Sequence, residues 1–140
     1  MTERIFGIDL GTSNSVVAYS EMPADGETEA IHLLPVPQIT DTGSVEVERS
    51  LPSFLYVPNA HELADGALDL PWETSPEFAV GTFARNQGAR VPDRLVSSAK
   101  SWLCHTGIDR QAPVLPFGHD DAIDGVSPVE ASAQYLKHLR

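Results

Sequence analysis

The stretch Ile5-Phe6-Gly7-Ile8-Asp9-Leu10-Gly11-Thr12-Ser13-Asn14-Ser15-Val16-Val17 limits the possible folds more than any other part of the chain. It reads as strand, tight polar turn, strand. Phe6, Ile8 and Leu10 alternate with Gly7 and Asp9, so one face is apolar and the other carries a single carboxylate aimed toward the turn. Gly11 supplies backbone freedom, and Thr12, Ser13 and Asn14 are short side chains that hydrogen-bond locally or to a ligand. Val16, Val17 and Tyr19 then return to strand-forming chemistry. A plain hairpin with an exposed turn would use the same residue types. Asp9 argues for more, because a carboxylate in an otherwise apolar strand is costly unless it meets a cation or donors. A glycine turn with free N–H groups and hydroxyls can cradle phosphate oxygens, and a carboxylate at its mouth suits hydrated Mg²⁺. This is not a P-loop, since no lysine follows the glycine and a strand follows the turn.

At 140 residues the chain is one modest domain or a piece of a larger one. Its hydrophobic fraction of 41% is enough for a real core, which argues against wholesale disorder. A net charge of −11 argues against nonspecific nucleic-acid binding, which needs clustered Lys and Arg. The single cysteine, Cys104, leaves no intrachain disulfide and suits a reducing compartment. No stretch resembles a signal peptide or reaches membrane-spanning length, so a cytoplasmic protein with no membrane partner is expected.

Further along, a polar loop is expected over 21–27 and a short strand over 30–34. Pro35 and Pro37 limit regular structure after that, while Val45 and Val47 alternate with Glu46 and Glu48 as a half-buried strand would. Phe54 to Val57 is a compact apolar strand with Pro52 at its entry. Residues 58–77 read as a solvated excursion, or as a partner-docking loop anchored by Trp72. Phe78 to Val80 forms a short strand, Thr82 caps a helix through Gln87, and Gly88 stops it. The spacing of Leu95, Ala99, Trp102 and Leu103 predicts a helix over 94–103, with Lys100 off that stripe. A short strand is expected over 112–117, then a polar turn over 119–125 that fails as a calcium loop at Ala122. Ser127-Pro128-Val129-Glu130 is a capping box opening a helix that carries Ser132, Tyr135, Leu136 and Leu139. That helix is still running at Arg140, as in a truncated chain.

Gly-Ile-Asp-Leu-Gly-Thr-Ser-Asn-Ser closely resembles the first phosphate motif of the actin-like ATPase superfamily, which includes seventy-kilodalton heat-shock chaperones, bacterial actins and sugar kinases. Three further segments are similar to the heat-shock chaperone branch, in the same order. Arg49-Ser50-Leu51-Pro52-Ser53-Phe54 resembles its Arg-x-x-Pro-Ser segment. Val80-Gly81-x-x-Ala84-Arg85-Asn86-Gln87 with Ser98-Ala99-Lys100-Ser101-Trp102-Leu103 resembles its Val-Gly-x-x-Ala-Lys-x-Gln and Ala-Lys-Arg-Leu-Ile-Gly block. Ser127-Pro128-Val129-Glu130 is similar to its Pro-Glu-Glu helix start.

The resemblance implies an α/β, actin-like (ribonuclease H-like) fold, present in part as an N-terminal lobe fragment with a mixed sheet and flanking helices. Residues 1–36 and 112–140 would belong to the core subdomain, and 37–111 to a smaller inserted one. It further implies ATP or ADP with Mg²⁺ as cofactors. Gly11, Thr12, Ser13 and Asn14 would contact the β- and γ-phosphates, and Asp9 would orient Mg²⁺-bound water. Arg85 would stabilise charge on the transferring phosphoryl group, standing where the family has lysine. Arginine keeps the charge but cannot place a point charge in the same spot, so slow hydrolysis by the full-length parent is expected. Partners of the parent would be client polypeptides and co-chaperones in the stress response. The fragment alone would be nearly inactive and would self-associate through exposed apolar edges. The alternatives are a sugar or metabolite kinase of the same superfamily, and an interaction module that has lost turnover.

Overall fold

The computed structural model describes residues 3–22 and 30–140. Strands β1 (Glu3–Leu10) and β2 (Asn14–Met22) form the expected hairpin, in register from Glu3 opposite Met22 to Leu10 opposite Ser15. On its other side β2 pairs with β3 (His32–Leu33) and, beside the turn, with β6 (Leu51–Pro52). Between these lie β4 (Val36–Asp41) and β5 (Ser44–Glu48), a two-stranded ribbon. A third sheet centres on β7 (Phe54–Tyr56), flanked by β8 (Ala79–Val80) and β9 (Leu95–Ser97). Three α-helices accompany them among the described residues: α1 (Thr82–Arg90), α2 (Ala99–Trp102) and α3 (Pro128–Leu139). The protein is therefore mixed α/β. Every pairing between named strands among the described residues is antiparallel, so the parallel component of the expected mixed sheet is not among them.

Two hydrophobic clusters meet at β7. Side chains alternate along a strand, so Leu55 and Tyr56 point to opposite faces. Leu55 joins a cluster with Val17, Leu51, Val96, Val126 and Tyr135, whereas Tyr56 joins Ile39, Leu68, Phe83 and Ala84. Helix α3 thus contributes to one face of the central sheet and α1 to the other. Glu62 ties the start of the 58–77 excursion to this second face, accepting from the Tyr56 hydroxyl (2.6 Å), the Asn59 N–H (3.0 Å) and the Gln87 amide (2.7 Å). Burial pushes the Glu62 carboxyl up, but those donors outweigh it and hold the carboxyl below its ordinary range.

Several elements differ from expectation for identifiable reasons. Pro37 lies within β4, opposite Val47, rather than preventing a strand. Its carbonyl accepts from His138 Nε2 (2.9 Å), outside the ribbon, so the edge facing α3 is where its missing N–H is tolerated. Val45 and Val47 form β5 but are exposed. The strand expected over 30–34 is reduced to His32–Leu33. The polar loop expected over 21–27 lies, from residue 23 to 27, outside the described residues, and Glu21 and Met22 end β2.

Gly88 does not stop α1, which runs on to Arg90. It lies inside the helix because a Cβ there would overlap the Leu95 side chain. The cap is Gly81 at φ 89°, and Thr82 is the first helical residue. The helix expected over 94–103 divides into a 3-10 turn (Pro92–Arg94), β9 and the single turn α2. Ser98 adopts left-handed φ 55°, which breaks the helix, and Val96 is buried opposite Leu55. Over 112–117 only Leu115 bridges, to Val126, because Pro113 and Pro116 lack the N–H groups that would extend a ladder. At 119–125 the polar turn forms, with the Asp120 carboxylate accepting from the Ala122 N–H (2.9 Å). Ser127 Oγ accepts from the Glu130 N–H (3.0 Å) as the N-cap of α3. Ala131, Ser132, Tyr135 and Leu139 face inward and Leu136 is exposed. Among the described residues no helix is long and apolar enough to cross a membrane.

Candidate functional site

The hairpin turn is held from its protein side by one residue. Ser53, 1% exposed, donates its N–H to the Ser13 carbonyl (2.9 Å) and its hydroxyl to the Gly11 carbonyl (2.8 Å). Ser15 Oγ, equally buried, lies 2.9 Å from Ser53 Oγ. A hydroxyl has one proton to give, so with the Ser53 proton on Gly11 the Ser15 hydroxyl is the donor of that pair. Gly11 itself cannot be replaced freely: a Cβ there would overlap the Asn14 carbonyl oxygen. Glycine is needed here for close approach, not for a left-handed φ.

The opposite side of the turn is open. Asp9, Thr12, Ser13 and Asn14 are all exposed. Among the described residues their side chains make no hydrogen bond, and the N–H groups of Gly11, Thr12 and Ser13 donate to nothing. At this end of the hairpin the side chains of Asp9, Thr12, Ser13 and Asn14 are thus exposed and without partners among the described residues, while the Gly11 and Ser13 carbonyls are taken up by Ser53.

Arg85 is placed on a different element. It is exposed on the first turn of α1, its N–H bonded to the Gly81 carbonyl (3.1 Å), and it has no ion pair among the described residues. The start of α1 is anchored twice by the β4–β5 ribbon. Gln38, fully buried, accepts from the Thr82 N–H (3.0 Å) while donating to the Ser50 carbonyl (2.9 Å). Glu48 accepts from the Thr82 hydroxyl (2.7 Å). Gln38 therefore does the work of a cap that Gly81 has no side chain to do. Sequence reasoning assigned no role to Ser53, Gln38 or Glu48. For Ser53 a signal existed, its place in the Pro-Ser step before a strand, but its partners lie 38 and 42 residues away.

The residues present fit a phosphate-borne Mg²⁺ better than a protein-held metal centre. Mg²⁺ keeps several waters and takes one or two carboxylates, of which Asp9 would supply one. Among the described residues no group of three or more His, Cys, Asp or Glu is arranged to hold a metal alone.

A separate cavity of about 590 Å³ lies between the β4 entry and the end of α3, lined by Leu34, Val36, Pro37, Trp72, His138 and Leu139 among others. It shares no residue with the hairpin turn. Trp72 meets the His138 ring edge-on (centroids 5.5 Å apart), and Lys137 pairs with Glu73 at 2.6 Å. Burial lowers the His138 imidazole below its ordinary value, against the opposing pull of the Pro37 carbonyl and Glu73. No protein-family model, curated protein or solved structure matches the chain.

Proposed function

We propose that this chain is the phosphate-binding N-terminal lobe of a heat-shock-type chaperone ATPase, taking ATP or ADP with Mg²⁺. The observation that carries the reading is the turn over residues 11–14, with two carbonyls drawn inward by Ser53 and with its exposed side chains and the N–H groups of Gly11, Thr12 and Ser13 left open near Asp9. Oriented, unused backbone donors with flanking hydroxyls are what an anionic phosphate needs. When bound, Mg²⁺ would supply charge neutralisation between the phosphates. Asp9 would hold its water shell, and Thr12, Ser13 and Asn14 would donate to phosphate oxygens. Arg85, free of ion pairs among the described residues, would bring positive charge from α1.

Phosphoryl transfer depends on positioning and electrostatics, so one lobe alone supplies little turnover. Binding and hydrolysis therefore separate, with nucleotide held by this chain and cleaved in the parent. The exposed apolar residues of β1, Ile5, Phe6 and Ile8, support a strand that packs on further protein in the whole domain and drives self-association without it.

Calorimetric titration with ATP tests the reading, with and without Mg²⁺. Binding that needs Mg²⁺, is lost in Asp9→Asn and weakens in Thr12→Ala is the expected result. No heat at millimolar nucleotide, or binding indifferent to both substitutions, overturns it. In the full-length parent Arg85→Lys should speed single-turnover hydrolysis; an unchanged rate removes Arg85 from the reaction.

A further inference from the structure

We infer that Ser53 is a positioning residue for the phosphate-binding turn, and that the Ser53–Phe54 step couples this turn to helix α1 and hence to Arg85. The nucleotide part of the inference rests on the reading above. A trans peptide places its C=O and N–H on opposite sides. Holding the Gly11 carbonyl on Ser53 Oγ therefore turns the Thr12 N–H away from Ser53, and holding the Ser13 carbonyl on the Ser53 N–H does the same for Asn14. One buried residue thus sets two peptide planes of the candidate cradle.

The next residue leads to the other half of the site. The Phe54 carbonyl accepts from the Gly81 N–H (3.1 Å), and the Gly81 carbonyl accepts from the Arg85 N–H (3.1 Å). Gly81 is closely packed on its side-chain side, where a Cβ would overlap Gln38 Oε1. Leu51, paired with Ser15, lies close against the same point. A shift of the turn on ligand binding must displace Ser53 or break its bonds. Displacing Ser53 moves the Phe54 carbonyl on which α1 starts. From the Ser13 carbonyl the route runs through backbone hydrogen bonds alone, and the Gly11 carbonyl joins it through the buried Ser53 hydroxyl.

Amide hydrogen exchange by NMR tests this on wild type, Ser53→Ala and Ser132→Ala, together with Mg·ATP affinity. Ser132→Ala is the control, because it also removes a buried hydroxyl bond, to the Pro128 carbonyl (2.8 Å), on α3. Ser53→Ala should raise exchange at Gly81 and Arg85, both hydrogen-bonded amides on the route, by about tenfold and weaken Mg·ATP by about the same factor, the effect of losing one buried hydrogen bond. Ser132→Ala should leave all three within about twofold, the scatter expected of distant, independent sites. Should the alanine variant not fold, Ser53→Cys keeps a weaker donor of similar size and should show a smaller rise at the same two amides. Exchange at Gly81 and Arg85 unchanged from wild type, or raised equally by Ser132→Ala, overturns the coupling. Wild type that binds no nucleotide removes the functional reading and the affinity arm, while the two amides still decide the coupling.

Discussion

Strands β1 and β7 are built from similar residues and end in opposite environments. In β1 the side chains of Ile5, Phe6 and Ile8 are each more than half exposed, whereas in β7 Leu55 and Tyr56 are completely buried. The difference lies in what surrounds them. Strand β1 has β2 on one side and no partner on the other among the described residues, while β7 has β8 and β9 on its two sides and clusters containing α1 and α3 residues on its two faces. Within β1 itself only Leu10, next to the turn, packs against the core. The hairpin is thus a blade whose root is fixed and whose outer part carries an uncovered apolar surface. Apolar alternation determines which side chains share a face, and neighbouring elements determine whether that face is covered.

The largest expected contrast lies between the two strands. Leu55→Ala should cost about 2–5 kcal/mol in urea unfolding, whereas Ile8→Ala should stay within about 0.5 kcal/mol. Similar losses at both sites would mean that the blade is covered in solution. Sedimentation of Ile8→Lys sharpens the same point, since a shift toward monomer would assign self-association to β1. At the root, Gly11→Ala should cost about 1–3 kcal/mol, because the added methyl meets backbone and the turn must move as a unit. A cost near zero would show a turn looser than its Ser53 bonds imply.

A smaller effect of opposite sign is expected in the core. The Tyr135 hydroxyl is buried with no hydrogen-bond partner among the described residues, and burial raises it above its ordinary titration range. Tyr135→Phe should therefore be neutral or stabilising by up to about 1 kcal/mol, and a clear loss of stability would reveal a hidden partner. The smallest expected effect is at His138. Its folded value is depressed, so the unfolded chain takes up a proton near 6.5 before the folded one does. Its stabilising contribution is complete above about 6.5 and is lost as pH falls from there through the lower folded value. His138→Gln should flatten that slope in pH-dependent unfolding; an unchanged slope would assign it to other groups.

Local chemistry was the legible part. The β1–β2 hairpin and the Ser127 cap of α3 each follow from residues within a few positions of one another, where turn propensity and side-chain spacing act directly. The 94–103 segment was not legible. Leu95, Ala99 and Trp102 have helical spacing, yet pairing of Leu95–Ser97 with β7 and the left-handed Ser98 prevail over it. Gly88 misled for a related reason: its lack of a side chain serves a contact with Leu95, not the end of a helix.

What the sequence determined by itself is a polar glycine turn between two apolar strands, with one carboxylate at its mouth. That information is local and survives any packing. The tertiary structure alone decided that Ser53 turns the carbonyls of the turn inward, that Gln38 and Glu48 hold the start of α1, and that β1 stays bare while β7 is buried. Those outcomes depend on hydrogen bonds and contacts between residues tens of positions apart, and only the closure of the fold sets which of them form.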